Sequence, residues 1–311
     1  MKVNLATTET VSANYAGEFA GRYISAAVLS ADSFENGAVS VQPGIPYKWN
    51  IPKMSLSGLV ADSTCDFTPV GTLTLADRVL TVEEFEVNLK LCKKTYRPTW
   101  ESLSMGVSAH DNLPKNFSDY LIGLAGASVA ADRETVVWQG VNATAGHFDG
   151  FETLFTSQAT QPSGQEIAGT TVTAANVVAQ MALVLDAAPS AVYSAPGFAI
   201  KVGTNIARHY IQAQAALGYM DKFNVDQTPM NFLGVPIQVC PGMSDDVMFA
   251  TYEDNLWYGI GQFSDMTQVN LIDQSTVDGS NNVHLVMQWA DGAQVGVVED
   301  VVTYGITNAA N

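Results

Sequence analysis

Residues 83 to 91 alternate in character: Glu84, Glu86, Asn88 and Lys90 are polar, while Phe85, Val87, Leu89 and Leu91 are apolar. A period of two places the two sets on opposite faces, which predicts a half-buried strand. The strand-like pattern reaches back to Thr72 through TLTLADRVLT. Upstream the character changes. Pro43, Pro46, Pro52 and Pro69, with Gly37, Gly44, Gly58 and Gly71, punctuate residues 37–71. Proline removes a backbone donor and glycine favours turns, so short extended pieces such as AVSV and KWNI are expected there, and no helix. The stretch holds few residues able to build a core. So long an extended excursion would be odd in a compact monomer and makes sense as an arm laid on a neighbouring copy. Residues 1–36 are small and weakly polar, with Phe19, Tyr23, Ala26 and Ala27 at helical spacing inside 16–31.

Pro114 opens a helix predicted to run to about Gln139, proline being tolerated in a first turn. Phe117, Tyr120, Leu121, Leu124, Ala125 and Ser128 fall on one face at steps of three and four. At 1.5 Å per residue the rod is roughly 36 Å long, which suits a spine along an elongated subunit. A Gly- and Thr-rich connection follows and contains HFDGFETLF. Thr173 is placed to cap a second helix, TAANVVAQMALVLDAA, stopped by Pro189. AVYSAPGFAIKVG is then expected as strand, and Thr204 caps a third helix ending before Gly218. The last third is strand-rich: VPIQV, VMFATY, LWYGIG, TQVNLI, VHLVMQW and AQVGVV. The order of elements predicts an α+β chain.

Composition sharpens this picture. Of 311 residues, 47% are hydrophobic and only 14% charged, well under the ~25% of ordinary soluble domains. Weakly polar surface of this kind is usually covered, which points to an obligate oligomer. The formal charge is −17, from 14 Lys and Arg against 31 Asp and Glu. Proteins that grip nucleic acid cluster basic residues, and here the densest run, Lys90, Lys93, Lys94 and Arg97, follows three glutamates. Sequence-specific nucleic-acid binding is therefore not expected. The start, MKVNLATTET, has no apolar h-region of a secretory signal, and no membrane span is predicted. Cys65, Cys92 and Cys240 form no CxxC pair and are expected as reduced, mostly buried thiols.

A search for chemistry yields no catalytic, cofactor or metal site. His110, His147, His209 and His284 share no ligand spacing, and neither GxSxG nor GxxxxGK[ST] occurs. Asp245, Asp246, Asp254, Asp265 and Asp273 gather in the final third, and DGSNN at 278–282 looks like half a calcium loop without its closing glutamate, so a β-turn is the better reading. Glu83, Glu84 and Glu86 could hold an acid/base pair, but on an alternating strand a solvated or subunit-facing side is the better assignment.

The stretch 232–273 carries a resemblance. Gly234-Val235-Pro236, Pro241-Gly242, Asp245-Asp246, Asn255-Leu256-Trp257-Tyr258-Gly259 and Asp265 resemble the closing part of the major capsid proteins with the Hong Kong 97 fold, shared by tailed phages, herpesvirus capsid floors and encapsulin compartments. HFDGFETLF is similar to the family's connection ahead of its axial domain, and DGSNNVHLVMQWADGAQVGVVEDVVTYG to its final strands. The resemblance implies an N-terminal arm at 1–36, an extended two-stranded E-loop at 37–82, a peripheral domain with a long spine helix at 83–150 and 275–311, and an axial domain at 151–274. It implies hexamers and pentamers of one protein closing an icosahedral shell over double-stranded DNA, a virion location after assembly in the host cytoplasm, and portal, scaffolding and head-completion or decoration proteins as further partners. No cofactor, membrane or covalent cross-link is expected, and no trimming of the arm. The candidate inter-subunit residues are Trp49, Ile51, Met54, Leu56, Arg78, Glu83, Glu84 and Glu86. Two rival readings stay open: an encapsulin-type shell enclosing a cargo enzyme, and an acidic hydrolytic enzyme of α/β class using the carboxylates of the last third.

Overall fold

The computed structural model describes residues 32–63, 65, 69–92, 115–216, 230–262, 268–276 and 279–308. The expected helix at 16–31, most of the expected arm, His110 and Asp265 lie outside the described residues.

Three sheets organise the chain. Strands β1 (Ser40–Gln42), β4 (Glu83–Cys92), β10 (Leu256–Ile260), β11 (Val269–Asp273) and β12 (Asn282–Val295) form a five-stranded sheet. At its centre the 14-residue β12 pairs with β4 on one side and with β11 and then β10 on the other. The register explains the alternation read from the sequence: Val87, Met287 and Val269 sit side by side, as do Leu89, Leu285 and Leu271. These rungs share one face, and their β11 and β12 members are fully buried in the larger core. Glu86 beside Gln288 and Lys90 beside His284 occupy the other face. VHLVMQW and AQVGVV, expected as two strands, are one strand through Val295, because Ala290-Asp291-Gly292 pairs with Glu84, Glu83 and Gly259 and does not turn.

A 25-residue helix, Lys115–Gln139, packs on this sheet. Its buried stripe only partly coincides with the expected one: Leu121 is buried and Ala125 packs on the core as expected, while the side chains of Phe117 and Tyr120 lie outside the described residues. Leu121, Ile122, Val136 and Val137 are buried, whereas Leu124 and Ser128 are exposed. At the helix end, the Trp138 ring makes tilted contacts with Phe151 at 5.3 Å and Phe249 at 5.6 Å, and its indole N–H donates to Ser33 Oγ at 2.9 Å. Ser33 belongs to a short helix at Asp32–Glu35. These two helices are α2 and α1 in chain order.

The six-stranded sheet has the order β5 (Glu166–Ile167), β13 (Val302–Tyr304), β9 (Met248–Tyr252), β6 (Phe198–Val202), β8 (Val235–Val239), β7 (Asn231–Phe232). A short helix, α3 (Phe151–Ser157), leads into this part of the chain. Helices α4 (Val177–Asp186) and α6 (Thr204–Ala216) cover one face through Val177, Met181, Val184, Ile206 and Tyr210. The other face meets the larger core. Strand β9 shows why: Met248 and Ala250 point to α4 and α6, while Phe249 points to Phe155 and Trp138. Helix α4 starts one turn later than expected, because Thr173 to Asn176 form a turn in which Asn176 Oδ1 accepts from the Thr173 N–H at 2.7 Å. AVYSAPGFAIKVG is likewise not all strand: Ser190–Tyr193 form α5, and only Phe198–Val202 enter the sheet.

The two larger sheets draw their strands from interleaved parts of the chain. Strands β10 (Leu256–Ile260) and β11 (Val269–Asp273) belong to the sheet built with β4, while Val302–Tyr304 lie inside the six-stranded sheet. The segment 37–71 also contributes more core than expected: Ala38 and Val39 are buried in the larger core, and Ile45 in a small cluster with Leu80 and Val82.

Candidate assembly surfaces

The third sheet is a hairpin of two ten-residue strands, β2 (Lys48–Ser57) and β3 (Thr72–Thr81), paired from Lys48 opposite Thr81 to Ser57 opposite Thr72. Opposed residues share a face, so the register divides the hairpin into two sides. Trp49 with Leu80, Ile51 with Arg78 and Lys53 with Ala76 form the inner side. Trp49 meets Trp257 edge-on at 5.0 Å. Trp49 and Ile51 pack on Ile45, Leu80 and Val82. Arg78 Nη2 donates to Gln294 Oε1 at 3.0 Å, and Lys53 Nζ lies 2.7 Å from Glu299 Oε1. Burial holds the Arg78 pKa below its ordinary value, against the attraction of Glu299. Two glycines admit the hairpin base: a Cβ on Gly292 would stand 2.2 Å from Thr81 O, and one on Gly259 2.4 Å from the Leu80 side chain.

The outer side is different. Met54 faces Leu75, and Leu56 faces Leu73. All four are exposed, Met54 at 65% and Leu75 at 66%, and Leu59, Val60 and Val70 beyond them are exposed as well. Single exposed hydrophobics are ordinary, but seven on one protrusion form a patch of the kind that marks an interaction site.

Two clefts flank β4. One, of about 670 Å³, is polar and is lined by Glu84, Glu86, Gln268, Asn270 and Gln288. The other, of about 490 Å³, runs between β4 and α2 and is lined by Val87, Leu89, Leu121, Leu124 and Val129, together with Arg133 and His147. Beneath them lies a polar joint. Arg133 Nη2 donates to Asp132 Oδ2 at 2.7 Å and to Gly146 O at 2.6 Å, while Nη1 stands 3.4 Å from Asp291 Oδ1. Tyr258 OH and Trp289 Nε1 donate to Asp291 Oδ2 at 2.6 and 3.2 Å. The guanidinium also lies over the Phe85 ring at 4.8 Å. Burial pushes the Asp291 carboxyl up, opposed by Arg133, and pushes the Tyr258 hydroxyl well up. Lys201 on β6 is fully buried, donates to Thr251 O at 3.0 Å, and is brought down to about 8 by its burial. Asp291, Tyr258 and Lys201 are closed off from solvent, so these displaced groups cannot meet a substrate and act as joints of the fold.

The remaining chemistry is dispersed. Asp273 Oδ1 accepts from the Ser275 N–H and hydroxyl, Asp246 Oδ1 from the Val172 N–H, and Asp254 Oδ1 from Ser40 Oγ. These are turn and loop supports. Among the described residues no group of three or more His, Cys, Asp or Glu could hold a metal ion. Among them, too, no helix is long and apolar enough to cross a membrane.

No protein-family model matches the chain, and neither does any curated protein. Solved structures do. The capsid of a native GTA particle matches with a TM-score of 0.60 at 11% identity, over 95% of this chain and 92% of that one. The satellite phage P4 procapsid, which includes a size determination protein, matches at 0.59 and 12% identity, over 92% and 90%. A chain of Mycobacterium phage Adephagia matches at 0.56 and 14%, over 98% and 92%. The chain has the fold of the phage and GTA capsid proteins.

Against this capsid fold the candidate inter-subunit residues separate by parity. Met54 and Leu56 lie on the open outer side of the hairpin. Trp49, Ile51 and Arg78 lie on the inner side, where their contacts are with their own chain. Glu83 is also engaged within the chain, accepting from Asn142 Nδ2 at 2.6 Å, whereas Glu84 and Glu86 are exposed on the sheet. Cys65 is exposed, contrary to the expected burial, and Cys240 is buried. Sequence reading missed Leu73 and Leu75, although their spacing of two and their turn-flanked position carried the signal. It also missed the Arg133–Asp291 joint, whose members lie 158 positions apart.

Proposed function

We propose that this chain is a major capsid protein of a tailed phage, a shell subunit and not an enzyme, whose copies join as hexamers and pentamers into an icosahedral shell enclosing double-stranded DNA. The observation that carries the reading is the extent of the likeness to a capsid chain: in the native GTA match it spans 95% of this chain and 92% of that one. The charge of −17 agrees with a wall that contains DNA without gripping it.

The finer assignment follows the sheets. The β2–β3 hairpin corresponds to the E-loop, with Met54, Leu56, Leu73 and Leu75 meeting a neighbouring copy. The five-stranded sheet with α2 as spine is the peripheral domain. The six-stranded sheet with α4 and α6 is the axial domain, so β10, β11 and β13 exchange places relative to the segments expected from the sequence. Residues 1–36 serve as the arm. Glu84 and Glu86 present a polar face to a neighbour across the cleft they line. Portal, scaffolding and decoration proteins complete the particle, which is built in the host cytoplasm and resides in the virion.

The test is negative-stain microscopy and light scattering on the expressed protein. Closed shells of uniform size are expected. A stable monomer at micromolar concentration, with no particles, would overturn the assignment.

A further inference from the structure

The turn between β7 and β8 pairs an unfavourable backbone with an unfavourable surface. Phe232 and Val235 are opposed in the ladder, so Leu233 and Gly234 are the two central residues of a tight hairpin. Both have positive φ, +48° and +87°. A turn with positive φ at both centres favours Asn, Asp or Gly, whereas a branched apolar side chain at the first position is strained. Leu233 is moreover 72% exposed. Neither the local backbone nor the free subunit gains from leucine there, and persistent strain of this kind points to a functional contact.

The surroundings hold the side chain ready. Phe232 is buried and meets Tyr210 edge-on at 6.0 Å, and Tyr210 OH donates to Asn231 O at 2.7 Å. The base of the turn is therefore fixed on α6. A Cβ built on Gly234 would meet nothing within 4 Å, so the turn projects clear of the body. It lies at the β7 edge of the six-stranded sheet, the end of the strand order opposite β13 and β5.

Charge identifies the partner. Residues 230–243 contain no Asp, Glu, Lys or Arg, in a chain whose net charge is −17. Identical copies of so acidic a protein repel wherever their carboxylates converge, and this run lets them approach without that cost. A nucleic acid would instead require basic residues, which the run lacks. We infer that Leu233 is a self-association knob, seated on a second copy of this chain where copies converge in the shell. The inference rests on the shell reading above and adds to it the residue that docks.

The test compares wild type with Leu233→Asn and Leu233→Met. Asparagine suits positive φ, so L233N should leave the melting temperature of the unassembled subunit equal or higher while raising the concentration needed for assembly at least tenfold by light scattering. Methionine keeps an apolar side chain and should assemble within about threefold of wild type. Should L233N misfold, Leu233→Gly supplies the same comparison, since glycine accepts this backbone at no steric cost. Assembly of a folded L233N or L233G variant at the wild-type concentration would overturn the knob and leave the shell reading intact. Absence of particles from wild type would overturn both.

Discussion

The parity of the hairpin gives the sharpest prediction. Met54 and Leu75 face one another on the outer side, each about two-thirds exposed in the isolated subunit. Full burial of such a side chain stabilises by roughly 1.5–3 kcal/mol, so covering the exposed part of each is worth about 1–2 kcal/mol. A double substitution to threonine keeps β propensity and removes most of the apolar area. In the free subunit its effect should stay within about 0.5 kcal/mol, as for other exposed positions. In the shell each hairpin contact should weaken by about 2–4 kcal/mol, which is roughly 30- to 1,000-fold in the equilibrium constant of that contact. The assay is the concentration dependence of assembly by light scattering, beside the denaturant midpoint of the unassembled protein. A Trp49→Ala variant supplies the contrast, because Trp49 packs on Trp257 within the same chain and its loss should lower the midpoint of the subunit itself. The reasoning fails if Met54→Thr with Leu75→Thr assembles at the wild-type concentration, or if it destabilises the free subunit as W49A does.

Two further predictions concern the buried joints. Lys201 has a folded pKa of about 8 against 10.5 when solvated, so between those values the unfolded chain binds the additional proton and this group makes stability rise with pH. Below pH 8 its charge costs about 3 kcal/mol, and Lys201→Met should melt higher at pH 7 with that advantage gone by pH 10.5; parallel melting curves for the two proteins across this range would refute the assignment. Asp291→Asn leaves Arg133 facing an amide and should destabilise by about 3–5 kcal/mol in urea unfolding, whereas the Arg133→Met, Asp291→Leu pair should recover much of the loss; a single variant as stable as wild type would show that the joint bears no weight.

What the sequence disclosed, and what it hid, follows from the range of the interactions involved. The alternation in β4 was legible because a strand's two faces are written locally, and the extended character of the hairpin's chain was legible from its prolines, glycines and TLTLADRVLT, whereas its two-stranded pairing came only from the family resemblance. Which side of the hairpin turns inward was not, because that depends on Trp257, Gly259 and Gly292, about 200 positions away. The same holds for α2. Leu124 belongs to its apolar stripe by spacing, yet it borders the cleft beside β4 while Ile122 takes the core. Ala290-Asp291-Gly292 resembles a turn in one dimension; it continues as strand because Arg133, Tyr258 and Trp289 supply partners for the carboxylate and Gly292 leaves room for Thr81. Local rules fail at these points because the deciding partner lies far along the chain.

The division of the hairpin also bears on why assembly would be efficient. An unanchored hairpin of two ten-residue strands would lose much conformational freedom on meeting a neighbour, and that loss subtracts directly from affinity. Here the inner side is fixed beforehand by the Trp49–Trp257 contact, the Arg78–Gln294 hydrogen bond and the Lys53–Glu299 ion pair. The ion pair is partly exposed and contributes little by itself. The ring contact and the close approach at Gly292 define the direction of the strands, so Met54, Leu56, Leu73 and Leu75 are presented in one orientation before any partner arrives. Residues such as Trp49 and Arg78 then support assembly through the pose they impose on the outer side, and their substitution should widen the distribution of shell sizes even where the neighbour's contact residues are unchanged.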